Sequence, residues 1–158
     1  MLRQISILQV YFALLVAFIA NLLPWFGLSI SWRPDFVLLV LIFWIIRTPH
    51  LCNIGTAWFA GLLMDLVTGG LFGQFALAYA FTAFFAANYQ RRLVLYNIWQ
   101  QAAYVFVLLL LAQVTILILK LFAGHDVPSW HYFFPSISGI IVWQMYMVVS
   151  GQQRLRKN

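Results

Sequence analysis

The sequence predicts an all-α, polytopic membrane bundle of six transmembrane helices, forming one integral membrane domain over residues 1–158. Three observations lead there. The chain is 65% hydrophobic and 18% aromatic but only 8% charged, more apolar surface than a soluble domain of this length could bury. Six apolar runs recur, at approximately 5–23, 30–46, 54–67, 71–88, 98–122 and 132–149, and one helical crossing takes roughly 20 residues. The connections reach about ten residues at most, which leaves nothing for a soluble domain.

The first run continues from Ile5 to Leu23 without a small-x-small cleavage site before Pro24, so it reads as an uncleaved span and not as a removed signal peptide. Pro24-Trp25-Phe26-Gly27 breaks it, and Trp25 and Trp32 suit the headgroup layer. Arg33-Pro34-Asp35 opens the second span. Proline fits a first helical turn, and a carboxylate at Asp35 complements the N–H groups exposed at a helix start, as a cap does. The apolar run from Phe36 to Ile46 holds eleven residues, too few to cross unless Ser29 to Trp32 also enters the membrane. Arg47-Thr48-Pro49-His50 ends it, with His50 read as a solvated loop residue and Cys52 as a small filler near the surface. A single cysteine excludes an internal disulfide and any cysteine-based metal cluster.

The third span, Ile54 to Val67, is also short, and Thr68-Gly69-Gly70 separates it from the fourth. A tight hairpin with Asp65 near its tip is the simplest reading; a pair of short, glycine-interrupted spans is also how transporters build sites at the membrane midplane. Asn88 to Asn97, with Arg91 and Arg92, reads as a polar turn. In the fifth span Gln113 is expected to face the bundle, Leu109 to face lipid, and Lys120 to snorkel to the surface. Ala123 to Trp130 is the clearest loop, and the sixth span is followed by the basic tail GQQRLRKN.

Six spans put both termini on one side. The termini with Arg47, Arg91 and Arg92 hold seven basic residues, and the opposite loops hold only Arg33 and Lys120, so the positive-inside rule makes the termini cytoplasmic. The net charge of +6 is therefore topological, and no polyanion groove or nucleic-acid partner is implied.

One stretch carries the candidate site. Asn53, Ala57, Gly61, Asp65, Gly69 and Gly73 recur every fourth residue, which on one helix makes a face of small groups that another helix could approach closely. Asp65 lies within an apolar run, and a free carboxylate in hydrocarbon costs at least roughly 2.5–3.5 kcal/mol, so it should face protein, water or an interface. Three readings stay open: hydration or capping at the Thr68-Gly69-Gly70 turn, a buried contact between helices, and a ligand or ion site.

Catalytic residues are scarce. There is no His-Glu-x-x-His zinc motif, phosphate loop or nucleophile elbow, and the three acids stand 30 and 61 residues apart. His125-Asp126 with His131 is the one local cluster, better read as a polar loop than as a metal site. An enzyme, a cofactor and a bound metal are not expected.

Three segments together resemble the MreD family of bacterial rod shape-determining membrane proteins: RPDFVLLVLIFWI at Arg33 to Ile45, TPHLCNIGTAWFAGLLMDLVTGGLFG at Thr48 to Gly73, and IWQQA at Ile98 to Ala102. The family pattern falls on Pro34, Asp35, Gly61, Asp65, Gly69 and Gly73. The resemblance implies a non-enzymatic component of the inner membrane and of the cell-elongation machinery. Its partners would be MreC and, indirectly, the MreB filament and the sidewall peptidoglycan polymerase and transpeptidase, within membrane lipid. It also implies a fold like the substrate-binding components of energy-coupling-factor vitamin transporters, which keeps a small-molecule binder as the alternative. A vitamin-like binder should show a polar cavity with basic or aromatic residues directed into it; a scaffold should show a lateral small-residue groove for a partner helix.

Overall fold

The structure, a computed structural model, describes residues 6–24, 32–93, 95–126 and 129–155, with side chains left aside at 93 and 149–155. Trp25 and its neighbours, the first residues with Arg3, and Arg156 and Lys157 of the tail lie outside the described residues, as do the expected starts of the first two spans at 5 and 30.

Six α-helices follow one another: α1 (Ile7–Leu22), α2 (Phe36–Arg47), α3 (Ile54–Thr68), α4 (Gln74–Leu93), α5 (Ile98–Phe122) and α6 (Phe134–Leu155), with a short 3-10 helix at Trp130–Phe133 leading into α6. Among the described residues there is no strand. Local sequence sets the boundaries. Ser6 caps α1 by accepting from the Leu8 N–H, Asp35 caps α2 from the Leu38 N–H, and Asn53 caps α3 from the Thr56 N–H. Asn97 and Gln100 form a reciprocal capping box at the start of α5.

Several boundaries differ from the sequence expectation. α2 begins at Phe36 and not near residue 30, because Asp35 caps it there. α4 begins only at Gln74, since residues 71–73 form the turn, and it continues through Arg91 and Arg92 to Leu93, where basic side chains complement a helix C-terminus. α6 likewise runs on to Leu155. Among the described residues α5 is the one helix long and apolar enough, by length and composition, to cross a membrane; α1, α2 and α3 are apolar but shorter.

Burial sets α2 apart among the short helices. α2 has 12 residues, about 18 Å at the usual rise, and buries Val37, Leu38, Leu39, Leu41, Ile42, Phe43 and Ile45 around most of its circumference. It is a core helix, apolar on all sides because protein surrounds it. α4 is the hub, packing on α2, α3 and α5, with its most extensive contact to α3. Its inward positions are mostly small, Ala76, Ala83 and Ala86 beside Tyr79 and Thr82, which lets neighbours come close. α5 buries one stripe, Ala102, Val105, Leu108, Leu109, Ala112 and Ile116. Leu109 is thus a core residue and not the lipid-facing one the sequence suggests. By contrast α1 buries only Val10, Ala17 and Asn21, and Leu8 and Phe12 remain 78% and 65% exposed. So much exposed hydrocarbon fits a helical membrane protein.

Cys52 sits fully buried in the core, and burial pushes its thiol up to about 12. Because the thiolate is the reactive form, alkylation of the native chain by iodoacetamide at pH 8 is expected to be slower than that of the denatured chain by at least about 100-fold. Equal rates measured by mass spectrometry would show that the packing around Cys52 is open.

Candidate functional site

Asp65 lies one turn before the end of α3, on the same buried face as Ala57 and Gly61. α3 stops at Thr68 because Gly69 adopts the left-handed conformation, φ 62°, and donates its N–H to the Asp65 main-chain oxygen. The chain turns back and enters α4 through Gly73, φ 96°. A helix start leaves its first N–H groups without partners, and Gly73 has no side chain with which to cap them. Asp65 caps them from the neighbouring helix. Its carboxylate accepts from the N–H groups of Gly73 at 3.0 Å, Phe75 at 2.9 Å and Ala76 at 3.2 Å. The side chain is 2% exposed, so these bonds form away from water, where charge complementarity with a helix N-terminus counts most.

The same contact explains Gly61. A Cβ built there would come within 2.5 Å of the Ala76 Cα and 2.6 Å of the Phe75 oxygen, both backbone atoms that no side-chain motion can clear. The small face at Ala57, Gly61 and Asp65 is therefore filled by the first turn of α4. The expected single face does not extend to Gly69 and Gly73: the helix has ended, and nothing lies within 4 Å of a Cβ added at either. Their contribution is the backbone conformation of the turn. Asn53, at the other end, is the α3 cap.

Asp35 is a second junction. It accepts from the Leu38 N–H at 3.1 Å, from Asn21 Nδ2 of α1 at 3.3 Å and from the Tyr79 hydroxyl of α4, so one carboxylate joins three helices. Pro34, expected in the first helical turn, precedes the cap instead and is buried. Asn21 also lies 3.8 Å from the Met64 sulfur of α3. Sequence reading singled out neither Asn21 nor Tyr79. Asn21 carried a signal, as a polar residue inside an apolar run; Tyr79 looked like any other aromatic residue.

At this end of the bundle lies a cavity of about 510 Å³, bounded by Asn21, the Arg33-Pro34-Asp35 entrance of α2, Met64 and Thr68 of α3, Phe75 of α4, Gln113, Ile116 and Lys120 of α5, and the segment from Ser129 to Pro135. The Lys120 ammonium stands 5.6 Å from the centre of the Tyr132 ring, and the Tyr132 hydroxyl donates to the Gln113 main-chain oxygen at 3.3 Å. Gln113 faces α6, its side-chain oxygen accepting from Ser136 Oγ at 2.7 Å. Among the described residues no three His, Cys, Asp or Glu side chains are grouped to hold a metal ion, and His131 packs edge-on against Phe134. Of the two discriminating features, a cavity with basic and aromatic residues in its lining is present but its surface is mainly apolar, and the small-residue face is occupied by α4.

Comparison with known proteins gives a match of residues 1–155 to the family described as rod shape-determining protein MreD. The chain is also 23% identical over 129 residues to the rod shape-determining protein MreD of Haemophilus influenzae, covering 81% of this chain and 79% of that protein. No solved structure matches, and the likeness to energy-coupling-factor components is carried only by the sequence resemblance.

The capping geometry changes what Asp65 variants should do. All three partners donate, so asparagine would supply one acceptor and turn its amide N–H toward a backbone N–H, and leucine would leave all three unsatisfied. Asp65→Asn is expected to lower stability by about 1–3 kcal/mol and Asp65→Leu by more. Thermal unfolding of the purified chain checks this; an Asp65→Asn protein as stable as the parent would contradict the cap. Gly61→Leu should reduce steady-state protein levels at least severalfold, whereas Val107→Ala on the exposed face of α5 should not, and immunoblotting of membranes decides. Gly69→Ala should cost about 1 kcal/mol through its backbone conformation alone, with Gly69→Asn milder.

Proposed function

The chain belongs to the MreD family of rod shape-determining proteins, and from that premise we propose that it acts as a non-enzymatic, multi-pass component of the bacterial inner membrane that binds MreC. Through MreC it supports sidewall peptidoglycan synthesis in the cell-elongation complex, alongside the MreB filament and the sidewall polymerase and transpeptidase. The observation that carries this reading is the family match across residues 1–155.

The proposed mechanism is that of a lateral holder. The bundle grips the transmembrane helix of MreC and helps present its periplasmic part to the synthases. Since α4 covers the small-residue face of α3, the partner helix must use an outer face, where apolar side chains such as Leu8, Phe12 and Leu15 of α1 stand exposed. In lipid such a contact gains from dispersion and close fit, because hydrocarbon surrounds the separated helices equally well.

The six-span topology, with both termini cytoplasmic, is part of the same proposal. Helix directions support it: Arg47 ends α2 and Arg91 and Arg92 stand near the end of α4, whereas Arg33 precedes α2 and Lys120 lies near the end of α5. The sparsely basic end is then periplasmic.

A second reading, the small-molecule binding component of a transporter, has the cavity of about 510 Å³ in its favour.

Depletion in a rod-shaped host should turn rods into spheres, and the tagged chain should recover MreC from detergent extracts. Unchanged cell shape together with co-purification of a small molecule would favour the second reading. For topology, a cysteine introduced at position 126 should react with a membrane-impermeant maleimide added outside intact spheroplasts. Modification only after lysis would reverse the orientation.

A further inference from the structure

The cavity at the Arg33 end of the bundle combines charged, polar and apolar groups. Two cationic side chains, Arg33 and Lys120, line it. Neither forms an ion pair with a carboxylate among the described residues. Asp35, two residues on and in the same lining, interacts electrostatically with Arg33 while its oxygens accept from the Leu38 N–H, Asn21 and Tyr79. Lys120 has an aromatic face beside it instead of an acid. Asp35 on the same lining offsets part of the Arg33 charge, and Lys120 adds a second positive charge, so the lining holds more cations than carboxylates and an anion entering the cavity would relieve the excess.

The lining also limits the kind of anion. Arginine presents a planar fork of donors and lysine a mobile point charge, the pair of donors that suits the several oxygens of a phosphate better than a single carboxylate. Gln113, Ser129 and Tyr132 add polar groups to the lining. Met64, Phe75 and Ile116 are apolar. The volume of about 510 Å³ lies within the usual range of ligand clefts, roughly 300–1,000 Å³, and far exceeds what one oxyanion fills. A charged head with a short length of hydrocarbon fits such a mixed lining.

The geometry points to this cavity as a binding site for a phosphate-bearing anion, held by Arg33 and Lys120, whose source is either a lipid headgroup or free phosphate. Asp65 itself is not in the lining, and the site requires no contact with MreC. The lipid source alone rests on the membrane-spanning reading of the bundle.

Three probes are titrated against the full chain in dodecyl maltoside, with bound molecules counted by native mass spectrometry: dihexanoyl phosphatidic acid, neutral dihexanoylglycerol, and inorganic phosphate. Phosphatidic acid is expected to bind one per chain, at least tenfold tighter than dihexanoylglycerol. The double variant Arg33→Gln, Lys120→Gln should lose that difference, and Arg33→Lys with Lys120→Arg should retain most of it. Thermal unfolding of each variant separates lost binding from lost fold. Inorganic phosphate that competes fully at matched concentration identifies the free anion as the ligand; failure to compete identifies the lipid headgroup. Equal binding of the charged and neutral amphiphiles, or unchanged binding in a folded Arg33→Gln, Lys120→Gln protein, overturns the site. Recovery of MreC by the double variant is measured in parallel, so that loss of the ligand and loss of the partner are read independently.

Discussion

Three backbone N–H groups at the start of α4 converge on one carboxylate, and much of the bundle follows from that convergence. The Asp65 cap needs α3 and α4 close enough for an aspartate to span the gap, and only a glycine at position 61 allows that approach. Gly69 and Gly73 supply the positive-φ turn that brings the start of α4 back beside the end of α3. An acid, a close-packing glycine and two turn glycines therefore serve one hairpin.

Fixing α4 fixes its neighbours. Tyr79 lies one turn beyond Phe75, whose N–H is held by Asp65, and from there its hydroxyl reaches Asp35 at the cap of α2. Asn21 of α1 joins the same carboxylate. The two acids thus tie four helices together near one end. Elsewhere the helices meet mainly through apolar packing, as in the contacts of Val37, Leu41, Tyr79, Val105 and Trp143 within one core. In hydrocarbon, where burying apolar surface gains little, satisfied polar junctions and close small-residue contacts give the arrangement its specificity.

This architecture suits a protein that acts through its surfaces. The end joined by the two acids carries a cavity, and the outer faces of α1 and α5 present hydrocarbon to whatever surrounds them. Membership of the rod shape-determining family sets the biological process.

Much was legible in the chain itself, and the division has a physical basis. Composition and run length gave an all-helical protein, because helix is the economical way to satisfy backbone groups in an apolar setting. Caps are local, so Asp35 could be read as one from its neighbours alone. The apolar run of α5 ended where its helix ends. For Asp65 the sequence left capping, a contact between helices and a ligand site open, and the fold merges the first two: it is a cap delivered from another helix. That could not be read from spacing, since the partners are main-chain groups whose position depends on the turn between α3 and α4. The four-residue repeat likewise could not reveal that the helix stops after Thr68, leaving Gly69 and Gly73 as turn conformations and not as packing surface. Leu109 and Val107 are equally apolar, and only the neighbouring helices decide that the first is buried and the second exposed. The sequence determined which residues are costly to leave unpaired; tertiary structure decided what each is paired with, because those partners lie on other helices.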